Sequence, residues 1–292
     1  VPNVHDKPLP VLSLIVGAAL WGTYWWPLRF FSEQGFGGPW LIALIYLFLA
    51  GAGTLLLRRR GTVKIARHDW RSLALIALLG GWTNVAFMLA LFQGQVVLVL
   101  LLFYLSPVWA VIFARVFLRE TIGWRGAIAV ALACSGTVLV VLRGQHMDQG
   151  EDLLTMFLAA SSGLAFALSN VVLRSANRLS DAARSLAIWW GCAGIGLVFA
   201  VFAPWPQHPQ WPAFLIPVFA WFWVGLATAS TVYGVSRLPI RVSAVIMPIE
   251  VIVGAVSAWI LAKEAMSSME ILGAVLILSA SFVQLVGQKA GE

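Results

Sequence analysis

The sequence predicts an all-α integral membrane protein with ten transmembrane helices, arranged as two inverted repeats of five helices each. Three observations lead to this prediction. The chain of 292 residues is 61% hydrophobic and only 11% charged, and its mean hydropathy is +0.90. Apolar runs of about 20 residues recur along almost the whole length. The two halves also resemble one another at an offset of about 144 residues.

The composition excludes a soluble globular protein, because so few charged residues could not cover an apolar core of this size in water. The lipid bilayer is therefore the predicted surrounding of most of the chain. In such a protein the net charge of +7 says little about nucleic acid, and no nucleic-acid partner is predicted. The positions of Lys and Arg matter instead, because they set the orientation in the membrane.

Each predicted span has the length that an α-helix needs to cross the hydrocarbon core. The first run, Val11–Phe31, is followed by no A-x-A cleavage site and is predicted to be retained as a span. Residues 1–146 are predicted as the first five-helix repeat and residues 147–292 as the second, within one membrane domain. The ten predicted spans are 10–31, 39–58, 70–92, 95–118, 124–142, 152–174, 184–204, 211–235, 240–262 and 268–288.

The internal repeat is visible in two places. Leu12–Arg29 matches Phe157–Arg174 at an offset of 145, and Ser106–Glu120 matches Glu250–Glu264 at an offset of 144. In the second match, each apolar run starts at a helix breaker or polar residue and stops at a glutamate. Because each half has an odd number of spans, the two copies must face opposite sides of the membrane. Inverted repeats of this kind are typical of carriers that alternate access to a central site.

The distribution of basic residues predicts the orientation. If the N-terminus is cytoplasmic, 16 of the 19 Lys and Arg residues lie on the inner side, and only Arg29, Arg143 and Lys263 lie outside. Positively charged loops are translocated poorly, so this bias indicates an even number of spans with both termini in the cytoplasm.

One carboxylate, Glu250, falls near the middle of a predicted span, directly after Met247-Pro248-Ile249. A charge in hydrocarbon costs several kcal/mol, so such a residue is a functional candidate. Glu250 is interpreted either as a proton relay or substrate-amine partner, or as a protonated acid that bonds to backbone freed by Pro248.

Other chemistry is excluded by what the spans lack. No Lys or Arg lies at the centre of a span, which argues against phosphorylated substrates because these need fixed cations. No G-x-x-x-x-G-K-[ST] loop is present, so ATP is not predicted to power the protein directly. Cys134 and Cys192 both fall in apolar runs and are interpreted as small buried residues, with no metal site or disulfide framework. No cofactor is predicted.

Aromatic and amide side chains at membrane depth predict a substrate pocket. Trp21, Trp82, Trp109 and Trp223 fall near the midpoints of their spans, where an indole N–H needs a partner or a water-filled cavity. Such a group could form a pocket for a flat, apolar or amphipathic small molecule, or it could pack helices together. The candidate substrate-binding residues are Trp21, Tyr24, Trp82, Asn84, Tyr104, Trp109, Asn170 and Trp223.

Two prolines are candidate hinges. Pro107 and Pro248 each lie near the middle of the fourth or ninth predicted span, where proline removes a backbone hydrogen bond and kinks the helix. Broken helices in matching places point to a transporter site, although a static kink is the other interpretation.

These features together resemble the EamA type of the drug/metabolite transporter superfamily over nearly the whole chain. The second repeat departs from the family pattern, since Glu250-Val251 stands where a Glu-Pro pair is usual. The resemblance implies export of small metabolites from the bacterial cytoplasm across the inner membrane, and the chain looks most like the bacterial aromatic amino acid exporters. The motif residues are Pro107, Arg119, Glu120, Gly126, Gly136, Glu250, Lys263, Glu264 and Gly273.

The predicted function is therefore a carrier that exports aromatic or other bulky amino acids, or related small metabolites, by alternating access. Export of other amphipathic metabolites or drugs, or a channel-like facilitator, remain alternatives. An enzyme would need clustered His, Asp or Ser–Lys groups at depth, which the sequence lacks. The motif residues Glu120 and Glu264 are interpreted as holding helix ends.

Overall fold

A computed structural model describes residues 8–60, 69–106, 108–109, 112–113, 124–144, 153–175, 179–206, 214–238, 242, 246–264 and 266–287. Within these ranges the chain is helical, with turns and short extended connections but no β-strand. The all-α class predicted from the sequence is therefore confirmed for this part of the chain.

The helices follow one another with short connections. Two π-helical segments continue regular helices, since π1 (Ala220–Gly225) joins α9 to α10 and π2 (Ala258–Ala262) extends α11. The α-helices are α1 (Pro8–Gly22), α2 (Trp25–Glu33), α3 (Gly38–Arg60), α4 (Trp70–Gln93), α5 (Val96–Phe103), α6 (Trp124–Gly144), α7 (Leu153–Ser175), α8 (Asp181–Val201), α9 (Ile216–Phe219), α10 (Leu226–Arg237), α11 (Ile249–Ser257) and α12 (Ser268–Gly287).

Helix occurs within each of the ten predicted spans, but the helices differ in length. Among the described residues, five helical stretches are long and apolar enough to cross a membrane: Pro8–Glu33, Gly38–Arg59, Trp70–Gln93, Leu153–Val172 and Asp181–Val201. Shorter apolar helices cover Gly126–Leu139, Ile216–Thr231, Ile249–Ala262 and Ser268–Ala280. The structure thus supports a multi-pass membrane protein, while ten full crossings stay a prediction.

The first span is interrupted, although the sequence predicts one continuous helix over 10–31. α1 ends at Gly22, Thr23 and Tyr24 form a turn, and α2 begins at Trp25. Pro27 explains the interruption, because it has no N–H to offer the carbonyl four residues earlier and its ring clashes there. Instead, the Thr23 carbonyl accepts a hydrogen bond from the Trp26 N–H at 3.1 Å. The broken helix in this span is a feature that the sequence prediction missed.

The two halves of the chain interleave around a common core. α4 packs against α7 and α8, α3 against α8, α1 against α10 and α11, and α6 against α12. Each of these contacts joins a helix of the first half to a helix of the second. The main core therefore draws on both halves and cannot be divided between them.

Glycines allow the closest of these contacts, between α4 and α8. A Cβ at Gly81 would lie 2.6 Å from the carbonyl carbon of Gly191, and a Cβ at Gly191 would overlap the carbonyl oxygen of Ala77. In a bilayer, helices associate through such close packing because lipid is as apolar as their side chains.

The outer surface carries large apolar side chains, as a lipid-facing surface should. Leu78, Val198 and Phe222 are each at least 60% exposed, which would be costly in water.

The two cysteines differ in their exposure. Cys192 on α8 is buried as predicted, but the prediction that Cys134 on α6 is buried was wrong, because Cys134 is exposed. An apolar run marks depth in the membrane and does not reveal which side of a helix faces its neighbours.

Candidate functional site

Three helix interruptions meet at one place in the core. They are the turn at Thr23–Tyr24, the end of α5 with the turn Tyr104–Leu105, and the turn Met247–Pro248 before α11. The Tyr104 hydroxyl donates a hydrogen bond to the Met247 carbonyl at 2.9 Å, which joins the second and third interruptions. The first interruption lies beside them, because a Cβ at Gly22 would stand 2.5 Å from the backbone carbonyl oxygen of Glu250.

The carboxylate of Glu250 lies at this meeting point, in the first turn of α11. Glu250 is only 5% exposed, and Tyr104 beside it is 8% exposed. The Tyr104 Oη lies 3.3 Å from Glu250 Oε2. Within the described part of the chain, Glu250 makes no ion pair. A buried carboxylate without a cation is a group that a proton or a positively charged ligand can neutralise.

The hydrogen bonds around Glu250 leave it capacity for a further partner. Tyrosine has a single hydroxyl proton, and its shorter contact is the one to the Met247 carbonyl. The Tyr104 oxygen is then free to accept a hydrogen bond from a protonated Glu250. In that arrangement the bonds run in series from Glu250 to Tyr104 to Met247. An ionised Glu250 would instead compete with Met247 for the one Tyr104 proton, and a ligand cation would relieve the competition.

Three of the predicted pocket residues lie together in an aromatic cluster. The rings of Trp21 and Tyr24 meet edge to face at 5.4 Å, and Phe219 stacks on Tyr24 at 5.7 Å. Trp223 lies 6.1 Å from Phe219 and donates its indole N–H to the Leu20 carbonyl at 2.9 Å. The sequence prediction missed Phe219, because a single Phe in an apolar run carries no signal of its own.

The polar groups predicted on α4 are bonded to their neighbours. The Trp82 indole N–H donates to Ser161 Oγ at 3.2 Å. Asn84 donates its amide to the Gly80 carbonyl at 2.8 Å and accepts from the Tyr46 hydroxyl at 3.3 Å. In this structure these side chains tie α4 to α7 and to α3.

The remaining predicted residues differ in their surroundings. The indole N–H of Trp109 is buried and has no hydrogen-bond partner among the described residues, so it is a candidate donor to a ligand. Asn170 is half-buried on α7. Pro248 precedes α11 with φ −60°, as expected of a proline at a helix start. Pro107 lies outside the described residues.

An ion-pair network that was not predicted links the two halves at the far end of α5. Arg29 Nη1 lies 2.7 Å from Glu264 Oε1, and Arg29 Nη2 donates to the Gly94 carbonyl at 2.8 Å. The other oxygen, Glu264 Oε2, accepts from the Val96 N–H at 3.0 Å. Glu264 therefore does hold a helix end, but that end belongs to α5 in the other half of the chain.

Two further features concern metal binding and a groove on the surface. Among the described residues, no group of three His, Cys, Asp or Glu side chains could hold a metal ion. An open groove of about 480 Å³ lies on the outward side of α11 and π2, and it does not include Glu250. Its lining is almost wholly apolar, as for a surface against lipid: Ile252, Val253, Val256, Ser257, Ile260 and Leu261.

Comparisons with known proteins find a similarity to one transporter family in the first half of the chain. Residues 8–142 match the EamA-like transporter family. Members of this family are membrane transporters of small metabolites, and this part of the chain is similar to them. The crystal structure of another protein, 19% identical, superposes on 99% of this chain and 100% of its own with a TM-score of 0.62, which shows a shared fold. No curated protein matches the chain.

Proposed function

We propose that this protein is a transporter that exports aromatic or other bulky amino acids across the bacterial inner membrane by alternating access. The observation that carries the proposal is the convergence of three interrupted helices on one buried carboxylate, Glu250, which makes no ion pair within the described residues. Interrupted helices at a repeat interface form the substrate sites of many carriers, because their ends present backbone groups and dipoles to the ligand.

The chemistry of the site suggests how such a substrate is held. The ammonium group pairs with Glu250, and the positive end of the α11 dipole lies close to the substrate carboxylate. The aromatic side chain stacks against the cluster in which Trp21 meets Tyr24, and Tyr24 and Trp223 both pack against Phe219. The indole N–H of Trp109, which has no partner in the described part of the chain, is a further donor.

Alternating access requires two repeats of opposite orientation, proposed as residues 1–146 and 147–292. The helix contacts support this division. If each span of the first half is exchanged with the corresponding span of the second half, the main helix contacts map onto one another. The contact of α4 with α7 exchanges with that of α10 with α1, and the contact of α5 with α7 exchanges with that of α11 with α1. The pairs α3 with α8, α5 with α11 and α6 with α12 exchange with themselves. In this scheme, bending at Pro107 and Pro248 opens and closes the two faces.

The proposed topology places both termini in the cytoplasm. The bias of Lys and Arg toward one side supports it. The ion pair agrees with one part of this topology, because the charge count assigned Arg29 and Lys263-Glu264 to the same side of the membrane and Arg29 and Glu264 lie 2.7 Å apart.

The repeat alignment predicts a second ion pair. It matches Arg29 with Arg174 and Glu264 with Glu120, so Glu120 and Arg174 are expected to pair at the cytoplasmic face. Glu120 and the Arg174 side chain lie outside the described residues. We expect Glu120→Arg to abolish transport, and Glu120→Arg with Arg174→Glu to restore part of it, measured as flux into proteoliposomes. A double variant no better than the single one would count against the pair.

The substrate proposal is tested by counterflow in proteoliposomes with a panel of amino acids and other metabolites. Saturable flux of Phe, Tyr or Trp is expected. Flux of an unrelated amphipathic solute or drug, without flux of any of these three amino acids, would contradict the substrate assignment. Flux that rises linearly without saturation would favour a channel-like facilitator instead.

A further inference from the structure

The three interrupted helices each send a half-helix from Glu250 toward the same end of the molecule. α2 leads from the turn at Thr23–Tyr24 to Arg29 and beyond, and α5 leads from Tyr104 back to Val96. α11 with π2 leads from Glu250 to Lys263. The eight residues of α5 span about 12 Å, so the ion-pair network stands roughly that far from the site.

The three half-helices are packed together between the site and the network. The Trp25 indole N–H donates to Ser257 Oγ at 3.0 Å, which joins α2 to α11. Gly254 on α11 lies against the Leu100 side chain of α5. These contacts leave Glu250 and Tyr104 almost fully buried. A ligand can therefore reach Glu250 from this end only if the half-helices separate.

The ion-pair network joins all three half-helices, at the middle of α2 and at the far ends of α5 and π2. Arg29 belongs to α2, Val96 begins α5, and Glu264 follows π2. Lys263 adopts a left-handed conformation, with φ 56°, at the point where the chain leaves π2 and reaches Glu264. The Arg29 guanidinium also lies 5.1 Å from the Trp25 ring. One carboxylate thus holds an arginine from one half-helix and the first N–H of another.

We propose that the Arg29–Glu264 pair, with its bonds to Gly94 and Val96, is the latch that closes the outer end of the transport path. The proposal rests on alternating access as the proposed function. The Arg29 and Glu264 side chains are 27% and 19% exposed, so water can solvate them once they part. A pair of this kind can open within a transport cycle, whereas a fully buried pair would leave uncompensated charges.

Spin-label distances test the latch without substrate. Nitroxide labels at Gln93→Cys and Lys263→Cys, both exposed, flank the latch in a chain whose native cysteines are replaced by alanine. In lipid nanodiscs we expect mainly a short distance in the parent chain. Glu264→Gln should raise the longer-distance population about tenfold, as loss of a charge-assisted pair implies. Arg29→Gln should do the same, and the double variant should add little.

Glu270→Gln is the matched control. Glu270 is a buried carboxylate that follows Glu264 closely in the chain, and among the described residues its carboxylate accepts from the Ser267 N–H of its own turn, at 2.6 Å. It should leave the distances unchanged. If Glu264→Gln gave no longer distances, or if Glu270→Gln gave as many, the latch would be refuted.

Arg29→Lys is a milder change that tests the latch even if a more drastic variant does not fold. It keeps the charge, but a lysine cannot hold Glu264 and the Gly94 carbonyl in the bidentate manner of arginine, so an intermediate shift is expected. An Arg29→Lys chain with parent distances would also contradict the proposal. The labels need no substrate, so absence of amino acid flux would not remove the shift. Unchanged distances together with intact flux would refute the latch alone.

Discussion

Replacing Glu250 with glutamine is expected to lower transport by about tenfold to a hundredfold, which is what loss of one charge-assisted interaction with the substrate implies. Glutamine has almost the same shape, and its amide can still donate to the Tyr104 oxygen, so the fold should be retained. The negative charge that the site offers to an ammonium group is lost. The measurement is initial flux in proteoliposomes, with the amount of folded protein matched by size-exclusion chromatography.

Glu270→Gln again supplies the control, because it makes the same chemical change at a carboxylate that is 8% exposed and belongs to the first turn of α12, which is none of the three interrupted helices. It should transport at close to the parent rate. If both variants lost the same activity, Glu250 would have no special place in the mechanism.

The same variant separates the two roles proposed for Glu250. If the carboxyl carries protons, an imposed pH gradient should alter flux in the parent chain and have no effect in Glu250→Gln. A pH-gradient response that persisted in the variant would show that Glu250 is not a proton relay. A parent chain that ignores the gradient would leave Glu250 as the partner of the substrate amine alone.

Depth in the membrane could be predicted from sequence, and Glu250 shows why. A carboxylate in the middle of an apolar run is conspicuous, and Pro248 beside it signals an interrupted helix. The interruption at Thr23–Tyr24 was missed, because Pro27 lies close to the predicted end of its span and could have started a new turn there. The helical class followed from the long apolar runs, since only hydrogen-bonded helices or closed barrels satisfy the backbone in lipid.

Partners across the bundle could not be predicted in the same way. Arg29 and Glu264 are 235 residues apart in the chain, and each alone was interpretable as an end-of-helix residue. The aromatic residues show a related limit, because a membrane helix is apolar on every side and its pattern does not reveal which side faces inward. Trp21 and Trp223 do approach one cluster, whereas Trp82 and Asn84 are bonded within the helix packing.

Gly191→Ala is expected to destabilise the protein strongly, by about 1–3 kcal/mol, because the new methyl group would overlap the Ala77 carbonyl. The new methyl group is fixed directly to the backbone, and the Ala77 atoms that it would meet are backbone atoms. No side-chain rotation can therefore relieve the overlap, and α4 must move away from α8. That contact joins the two halves of the chain. The apparent midpoint of thermal unfolding in detergent should fall by about 5 °C.

The neighbouring Gly194 on α8 tests whether crowding is the cause. A Cβ at Gly194 would meet nothing within 4 Å, so Gly194→Ala changes the helix propensity in the same way without the overlap. Alanine favours helix over glycine by about 1 kcal/mol, and Gly194→Ala should therefore leave the midpoint unchanged or raise it. A fall of similar size in both variants would show that the glycines matter for helix flexibility. A fall confined to Gly191→Ala would place the effect in the backbone contact between α4 and α8.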